Sequence, residues 1–318
     1  MQVSDRIGRR MKLHDLHVLM AVAQSGSMGK AARRLNTSQS AISRSIAELE
    51  HAFGVRLFDR SRQGIEPTQC GRALLGCGAA VFDELRQGVK SIEFLTDPTV
   101  GEIRVAGNEH IIAGLVATVF GRLRRQYPGI AIDVASVVMS EQHRELRERK
   151  VDVVVGRIVP SGEEDIHAEI LFHDGIVVVA GLQSRWSRRR KVDLSELADE
   201  PWVFPQPQSP FSGPVADLFR ARGLQFPPKG MARGSVNLLC ALVASGPFLG
   251  IFPGSLLHFG TNLPPLKILP MELPIPPLPV GIMTLRNRTI SPVARLFIDC
   301  ARELAKPLAR RGELRARR

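Results

Sequence analysis

AARRLNTSQSAISRSIAELEHAFGVRLFDR, running from Ala31 to Arg60, is the stretch whose reading decides the fold. Ala31, Ala32 and Leu35 place small and apolar side chains on one face of a first helix. Asn36-Thr37-Ser38 is a cluster of capping residues, whose side-chain oxygens suit the open N–H groups at the start of a new helix. The helix that follows is expected to bury Ala41, Ile42, Ile46 and Leu49 at helical spacing. Gln39, Ser40, Ser43 and Arg44 then lie on or near its exposed N-terminal face, beside the cap Ser38. Short polar side chains in that position reach base edges in a major groove, and an arginine reaches a phosphate. The pattern is a helix-turn-helix. An ordinary helical hairpin with a solvated polar face is the plainer alternative.

The flanks extend this reading. Leu13 to Ser25 carries Leu13, Leu16, Leu19, Met20 and Ala23 at helix spacing and forms a preceding helix, ended by Gly26-Ser27. Val55 to Pro67 reads as a hairpin wing with Gly64 at its tip and Leu57 and Phe58 as anchors. Arg56, Arg60 and Arg62 line that wing, in keeping with wings that follow the phosphate backbone or the minor groove. Thr68 can cap a long helix to about Leu95. Within it Leu74, Gly78, Val81, Leu85, Gly88, Ile92 and Leu95 alternate in steps of four and three, the seam of a helix pair. The expectation is that Leu74, Val81, Leu85 and Ile92 dimerise the chain, so that a two-fold axis sets two recognition helices on two half-sites.

Several of these residues together resemble the DNA-binding domain of LysR-type transcriptional regulators: Ala31-Ala32, Leu35, Ser38 to Ser43, Ile46, Leu49-Glu50, Gly54, Leu57-Phe58 and Arg60. The likeness continues into the family's linker helix at Thr68, Gly71 and Leu74-Leu75. Gly29 stands where the family usually has Ser or Thr, which weakens the expected cap of the second helix.

Beyond the hinge Thr96 to Thr99 the pattern changes to alternating strands and helices. Strands are expected at 102–106, 130–137, 151–158, 176–180, 202–204, 249–252 and 280–284. Helices are expected at 111–126, 141–150, 194–198, 214–221, 236–244 and 292–304. Nearly continuous apolar strands such as Val151 to Ile158 predict an open parallel sheet with helices on both faces. Phe120 to Pro128, Val151 to Gly156 and Leu242 to Pro253 are similar to the family's effector domain, a two-lobed fold of the periplasmic-binding-protein type. The resulting division is a winged helix-turn-helix over 1–67, a linker helix and hinge over 68–97, and an effector domain over 98–306. Its lobes are about 98–173 with 274–306, and 174–273, with chain crossings near His173-Asp174 and Met271 to Pro274. Residues 307–318 are expected to be a solvated basic tail.

Ligands of open α/β sheets bind beyond the carboxyl ends of strands, and in two-lobed folds between the lobes. That rule selects Asn108, Glu109, His110, Met139, Ser140 and Arg157 from one lobe, and Pro205, Gln206, Ser209, Gly234 and Ser235 from the other, with Asn108, His110, Ser140, Arg157, Gln206, Ser209 and Ser235 as the candidate effector contacts. Helix N-termini with a fixed guanidinium favour a carboxylate or phosphate effector. Arg157, directly after the apolar VDVVVG run, is either a ligand clamp or a salt-bridge partner across the cleft.

Composition sets the outer bounds. A formal net charge of +12 over 318 residues fits a polyanion partner. No apolar run is long enough to span a bilayer, and no apolar segment follows the basic N-terminus to make a secretory signal. One Tyr and two Trp argue against stacking on single-stranded nucleic acid. Cys70, Cys77, Cys240 and Cys300 lack metal-site spacing, fit a reducing cytoplasm and read as small buried side chains. No metal or cofactor is expected. An enzyme acting on a small anionic metabolite in the C-terminal domain is the alternative function, but G-x-S-x-G, P-loop and H-E-x-x-H motifs are missing from the sequence. An exported solute-binding protein would lack the operator-reading head. The resemblance implies a cytoplasmic homodimer or homotetramer that binds an operator duplex and a small effector, with RNA polymerase as a further candidate partner.

Overall fold

The computed structural model describes residues 11–61, 64–159, 162–204, 211–226, 232–259 and 263–316. The chain divides into two compact units, residues 1–88 and 89–318.

In the first unit α1 (Leu13–Ser25), α2 (Met28–Arg34) and α3 (Gln39–Phe53) pack around Leu19, Val22, Ala31, Ile42, Ile46 and Leu49. Asn36 takes the left-handed conformation at φ 49° to turn the chain between α2 and α3, a role in which Asn is favoured. Ala41, expected in the core, is exposed. It falls in the first turn of α3, before the helix reaches the body of the domain. The cap of α2 is Ser27, with Gly29 already one residue inside the helix. Gly29 is therefore not the capping position. The wing is an antiparallel hairpin, β1 (Phe58–Ser61) and β2 (Gly64–Pro67), with Arg60 opposite Ile65.

Helix α4 (Gln69–Thr96) starts under Thr68, whose hydroxyl accepts from Gly71 N at 3.0 Å and donates to Arg56 O at 2.8 Å. A Cβ at Gly71 would lie 2.0 Å from Leu57 O, so only glycine permits this close approach to the wing. The expected seam needs correction at its start. Leu74 packs against the helix-turn-helix core and Gly78 faces Met20 and Leu16. The open stripe is instead Cys77, Val81, Leu85, Val89, Ile92 and Leu95, with Leu85 49% and Ile92 66% exposed. Cys70 and Cys77 are exposed rather than buried, because the inner face of α4 is taken by Gly71, Gly78, Asp83 and Gln87.

The second unit holds two five-stranded sheets. The first has the order β4-β3-β5-β12-β6, from β3 (Val100–Gly107), β4 (Gly129–Ser136), β5 (Val153–Arg157), β6 (Ile166–Asp174) and β12 (Leu278–Leu285). The second has the order β11-β7-β10-β8-β9, from β7 (Ile176–Gly181), β8 (Trp202–Phe204), β9 (Ala232–Arg233), β10 (Leu249–Pro253) and β11 (Leu266–Ile268). Neither sheet is purely parallel: β12 runs antiparallel to β5 and β6, and β7 runs antiparallel to β10 and β11. Apolar runs mark strands as buried but do not encode their direction. The chain leaves the first sheet at Asp174, enters the second at Ile176, and returns between β11 and β12.

Helices α5 (Ala117–Gln126), α6 (Gln142–Arg147), α7 (Ser212–Ala221), α8 (Val236–Ser245), α9 (Gly254–Phe259) and α10 (Pro292–Ala316) flank the sheets. The helix expected from Ile111 is widened by a π turn at Ile112–Val116, where Gly114 lies against Phe259. Residues 307–316 are not a loose tail. Helix α10 runs through Pro307, and Leu308 and Ala309 pack on the first sheet's core.

Candidate functional site

The first candidate surface is the tip of α3. Ser38 caps the helix, accepting from Ala41 N at 3.1 Å, and its hydroxyl meets Ser40 Oγ at 2.9 Å. Gln39, Ser40 and Arg44 are exposed and Ser43 is half-buried, so these polar groups line the solvent side of α3 while Ile42, Ile46 and Leu49 anchor the other. A Cβ at Gly29 would stand 3.3 Å from Gln39 Oε1, so the glycine leaves room for this amide to move. Glu50 locks the wing to α3, accepting from Leu57 N at 2.7 Å and Phe58 N at 3.4 Å. Arg60 lies on the first wing strand; Arg62 falls outside the described residues.

The second candidate surface lies where the two sheets of the effector unit meet. Arg157 ends β5 and is only 4% exposed. Its guanidinium carbon stacks 3.6 Å from the centroid of Phe211, the residue that precedes α7. Neither Nη1 nor Nη2 has a hydrogen-bond partner among the described residues. Burial pushes the guanidinium down to about 10, partly offset by the negative charge of Asp174, so it remains a cation at neutral pH. Asp174 is not its salt-bridge partner. That carboxylate accepts from Ser255 N at 3.0 Å and from the Ser255 hydroxyl, and burial raises its pKa despite those bonds. Of the two readings of Arg157, a ligand clamp or a salt-bridge partner, the structure shows no ion pair among the described residues and a guanidinium stacked on Phe211.

His110 borders this arginine. Its Nε2 is sealed from solvent without a described partner, and burial, then the Arg157 charge, holds its pKa down at about 3. It is a neutral imidazole, offering one hydrogen bond and no charge. Asn108 is engaged within its own lobe: its amide donates to Val137 O at 3.2 Å and accepts from Gln142 Nε2 at 3.0 Å. Ser140 is exposed in the turn Met139–Glu141, and Ser235 caps α8 by accepting from Leu238 N at 3.3 Å. Gln206 and Ser209 lie outside the described residues. Arg157 and His110 are therefore brought together, whereas Asn108 and Ser235 serve as local caps and braces.

Two further residues join the lobes here. Glu109 Oε1 accepts from Val236 N, the first residue of α8, at 3.1 Å, and Phe211 supplies the ring under Arg157. Neither contact is written in local sequence, because each partner comes from the other sheet. At the opposite end of β5, Asp152 gathers Arg288 Nη2 at 2.5 Å, Arg104 Nη2 at 2.8 Å and Lys90 Nζ at 3.6 Å. Burial opposes the charge of Asp152, but the bonds from Arg104 and the charge of Arg288 hold its pKa at about 2. A cavity of about 540 Å³ runs along Lys191 to Leu194 and Pro270 to Leu273. It contains none of the residues above. Among the described residues, no group of three or more His, Cys, Asp or Glu is placed to hold a metal ion.

Residues 13–72 match the family model of the bacterial regulatory helix-turn-helix protein, lysR family, and residues 96–306 match the LysR substrate binding domain. The chain belongs to the LysR family. It is 26% identical to the HTH-type transcriptional regulator YdcI of Escherichia coli K12 over 305 residues, covering 95% of this chain and 99% of that protein. It is 28% identical to TfdS of Cupriavidus pinatubonensis over 294 residues, covering 92% and 98%. The crystal structure of full-length CbnR complexed with its target DNA has the same fold, at a TM-score of 0.60 and 22% identity, over 92% of this chain and 100% of CbnR. The LysR assignment makes the N-terminal unit a DNA-binding head and the two-sheet unit an effector-binding domain. Among the described residues, no helix is long and apolar enough to cross a membrane.

Proposed function

We propose that this LysR regulator reads an operator duplex through Gln39, Ser40 and Ser43, holds its phosphates through Arg44 and the wing arginines Arg60 and Arg62, and answers a small anionic metabolite seated at Arg157. The observation that carries the effector reading is that Nη1 and Nη2 of Arg157 are buried without a hydrogen-bond partner among the described residues. A buried cation with idle N–H donors is costly, and a carboxylate or phosphate is the group that satisfies it, often bidentately. His110 adds a neutral hydrogen bond beside it. The same cleft is bridged by Glu109 on α8 and by Arg157 on Phe211, so a ligand there acts on both lobes at once. An effector with different affinity for two lobe arrangements shifts the balance between them, and with it the DNA complex. The match to the LysR regulator family over both units favours binding over turnover at this cleft, and the protein is read as a cytoplasmic regulator rather than an enzyme.

In the same reading, α4 pairs with its copy through Val81, Leu85 and Ile92, since a stripe this exposed and apolar is otherwise left in water. Leu85→Asp is expected to convert the dimer to monomers in light scattering. An undiminished dimer would exclude the stripe. For the recognition helix, Gln39→Ala with Ser43→Ala is expected to weaken discrimination between bound and mismatched duplexes by about 1–3 kcal/mol per base read. Competition binding against selected and scrambled duplexes measures it, and identical discrimination would remove these two residues from the interface.

A further inference from the structure

Strands β3 and β5 run parallel, with Gly107 opposite Val155. Two residues beyond that pair come Glu109 and Arg157, an acid and a base at the carboxyl ends of neighbouring strands. Opposite charges so placed ordinarily bond each other. These two do not. Arg157 Nη1 and Nη2 have no hydrogen-bond partner among the described residues, and Glu109 Oε1 crosses to the second lobe, where it accepts from Val236 N at 3.1 Å.

That crossing decides the charge of the cleft. A helix N-terminus offers open N–H groups and the positive end of the helix dipole, so the start of α8 is the second place here where an anion would settle. It is already taken. Glu109 holds Val236 N, and the Ser235 hydroxyl holds Leu238 N at 3.3 Å. Burial, then the charge of Glu109, raises the thiol of Cys240, one turn into α8, to about 11. Beside Arg157, Asp174 is 3% exposed and bonded to Ser255. The buried Lys and Arg side chains among the described residues are Arg157 and Arg288, and Arg288 is committed to Asp152 at the far end of β5. The strand ends thus offer a ligand one cation with two carboxyl groups around it.

We infer, with Arg157 as the anion seat proposed above, that the effector carries a single anionic group, as a monocarboxylate does, and that Glu109 is the specificity-determining residue that excludes a second. A dicarboxylate with one end on Arg157 keeps its other end near the charge of Glu109, beside a helix start whose N–H groups are spent. Like charges within about 10 Å, at the effective dielectric of a protein cleft, lower affinity by about tenfold or more.

The test is the melting temperature of the full-length protein at neutral pH and constant ionic strength, titrated with butyrate against succinate and with hexanoate against adipate. The wild type should be stabilised by the monocarboxylate of each pair and not by the dicarboxylate. Glu109→Gln keeps an oxygen for Val236 N but removes the charge. It should respond to both members, and to the dicarboxylates at concentrations at least about tenfold lower than any that act on the wild type. A wild type stabilised equally by both members, or a Glu109→Gln variant that still refuses the dicarboxylates, would overturn the role of Glu109 and leave the seat at Arg157 standing. A gain confined to Glu109→Ala, which loses the bond as well, would make Glu109 a brace only and overturn the charge effect. Equal indifference of the wild type and Arg157→Met to all four acids would instead overturn the anion seat itself.

Discussion

Arg157→Met raises the melting temperature of the effector unit and abolishes its response to anions; this pair of changes is the expected result. Arg157 is buried, its terminal nitrogens are idle among the described residues, and Asp174 is already engaged by Ser255. Methionine keeps the volume, still packs on Phe211 and carries no N–H groups that need partners. Removing an unsatisfied buried donor group recovers about 1–3 kcal/mol, and for a domain of this size each kcal/mol moves the melting point by roughly 2–4 °C. The wild type should gain thermal stability from a panel of carboxylates and sugar phosphates that contains its ligand, following the usual linkage between binding and folding. The variant should gain none. A variant that melts several degrees lower would show Arg157 to be structural and would remove the anion site.

Asp152→Ala is expected to destabilise the same unit by about 3–5 kcal/mol, because it leaves Arg288 and Arg104 around a missing counter-charge. Arg288 is 8% exposed and donates to both Val151 O and Asp152. The variant should unfold at distinctly lower urea, with an unchanged denaturant slope. The pH dependence has a fixed sign. The folded pKa of Asp152 is held at about 2, below its ordinary 3.8. Its contribution is therefore complete above the unfolded pKa and is lost as pH falls from about 4 towards 2. Roughly 2 kcal/mol of acid sensitivity belongs to this group. A urea midpoint within error of the wild type at neutral pH, or an unaltered acid limb, would contradict the assignment. Lys90 also reaches Asp152, so the end of α4 is fastened to the strand that carries Arg157 at its other end.

What the sequence makes legible is whatever depends on local spacing. Ile42, Ile46 and Leu49 fall on one helical face, Ser38 caps that helix, and Thr68 starts the linker, all as their side chains dictate. Strand β6 is hidden for a physical reason. The register against β12 slips between Val280 and Gly281, leaving Leu171 as the extra residue, so Leu171 and Phe172 are both buried and strict alternation fails. Pro307 reads as a helix stop because it normally costs about 3 kcal/mol inside a helix. Here Leu308 and Ala309 bury enough surface beyond it to carry the helix on. The dimer seam drifts for a related reason: Leu74 and Gly78 meet the periodicity, but the helix-turn-helix core claims them first. At the cleft, the position of Arg157 beyond its strand is visible in sequence. So is that of Glu109, but its partner Val236 and the stacking of Phe211 are not, since no spacing relates residues on different sheets.

Selection of bound fragments from random duplex DNA by the full-length protein tests the central claim most directly. The expected outcome is a pair of half-sites in inverted orientation, lost when Gln39 and Ser43 are both alanine and sharpened or weakened by the anion that fails to act on Arg157→Met. Recovery of unenriched sequence, or of a motif that survives both substitutions at the tip of α3, would contradict it.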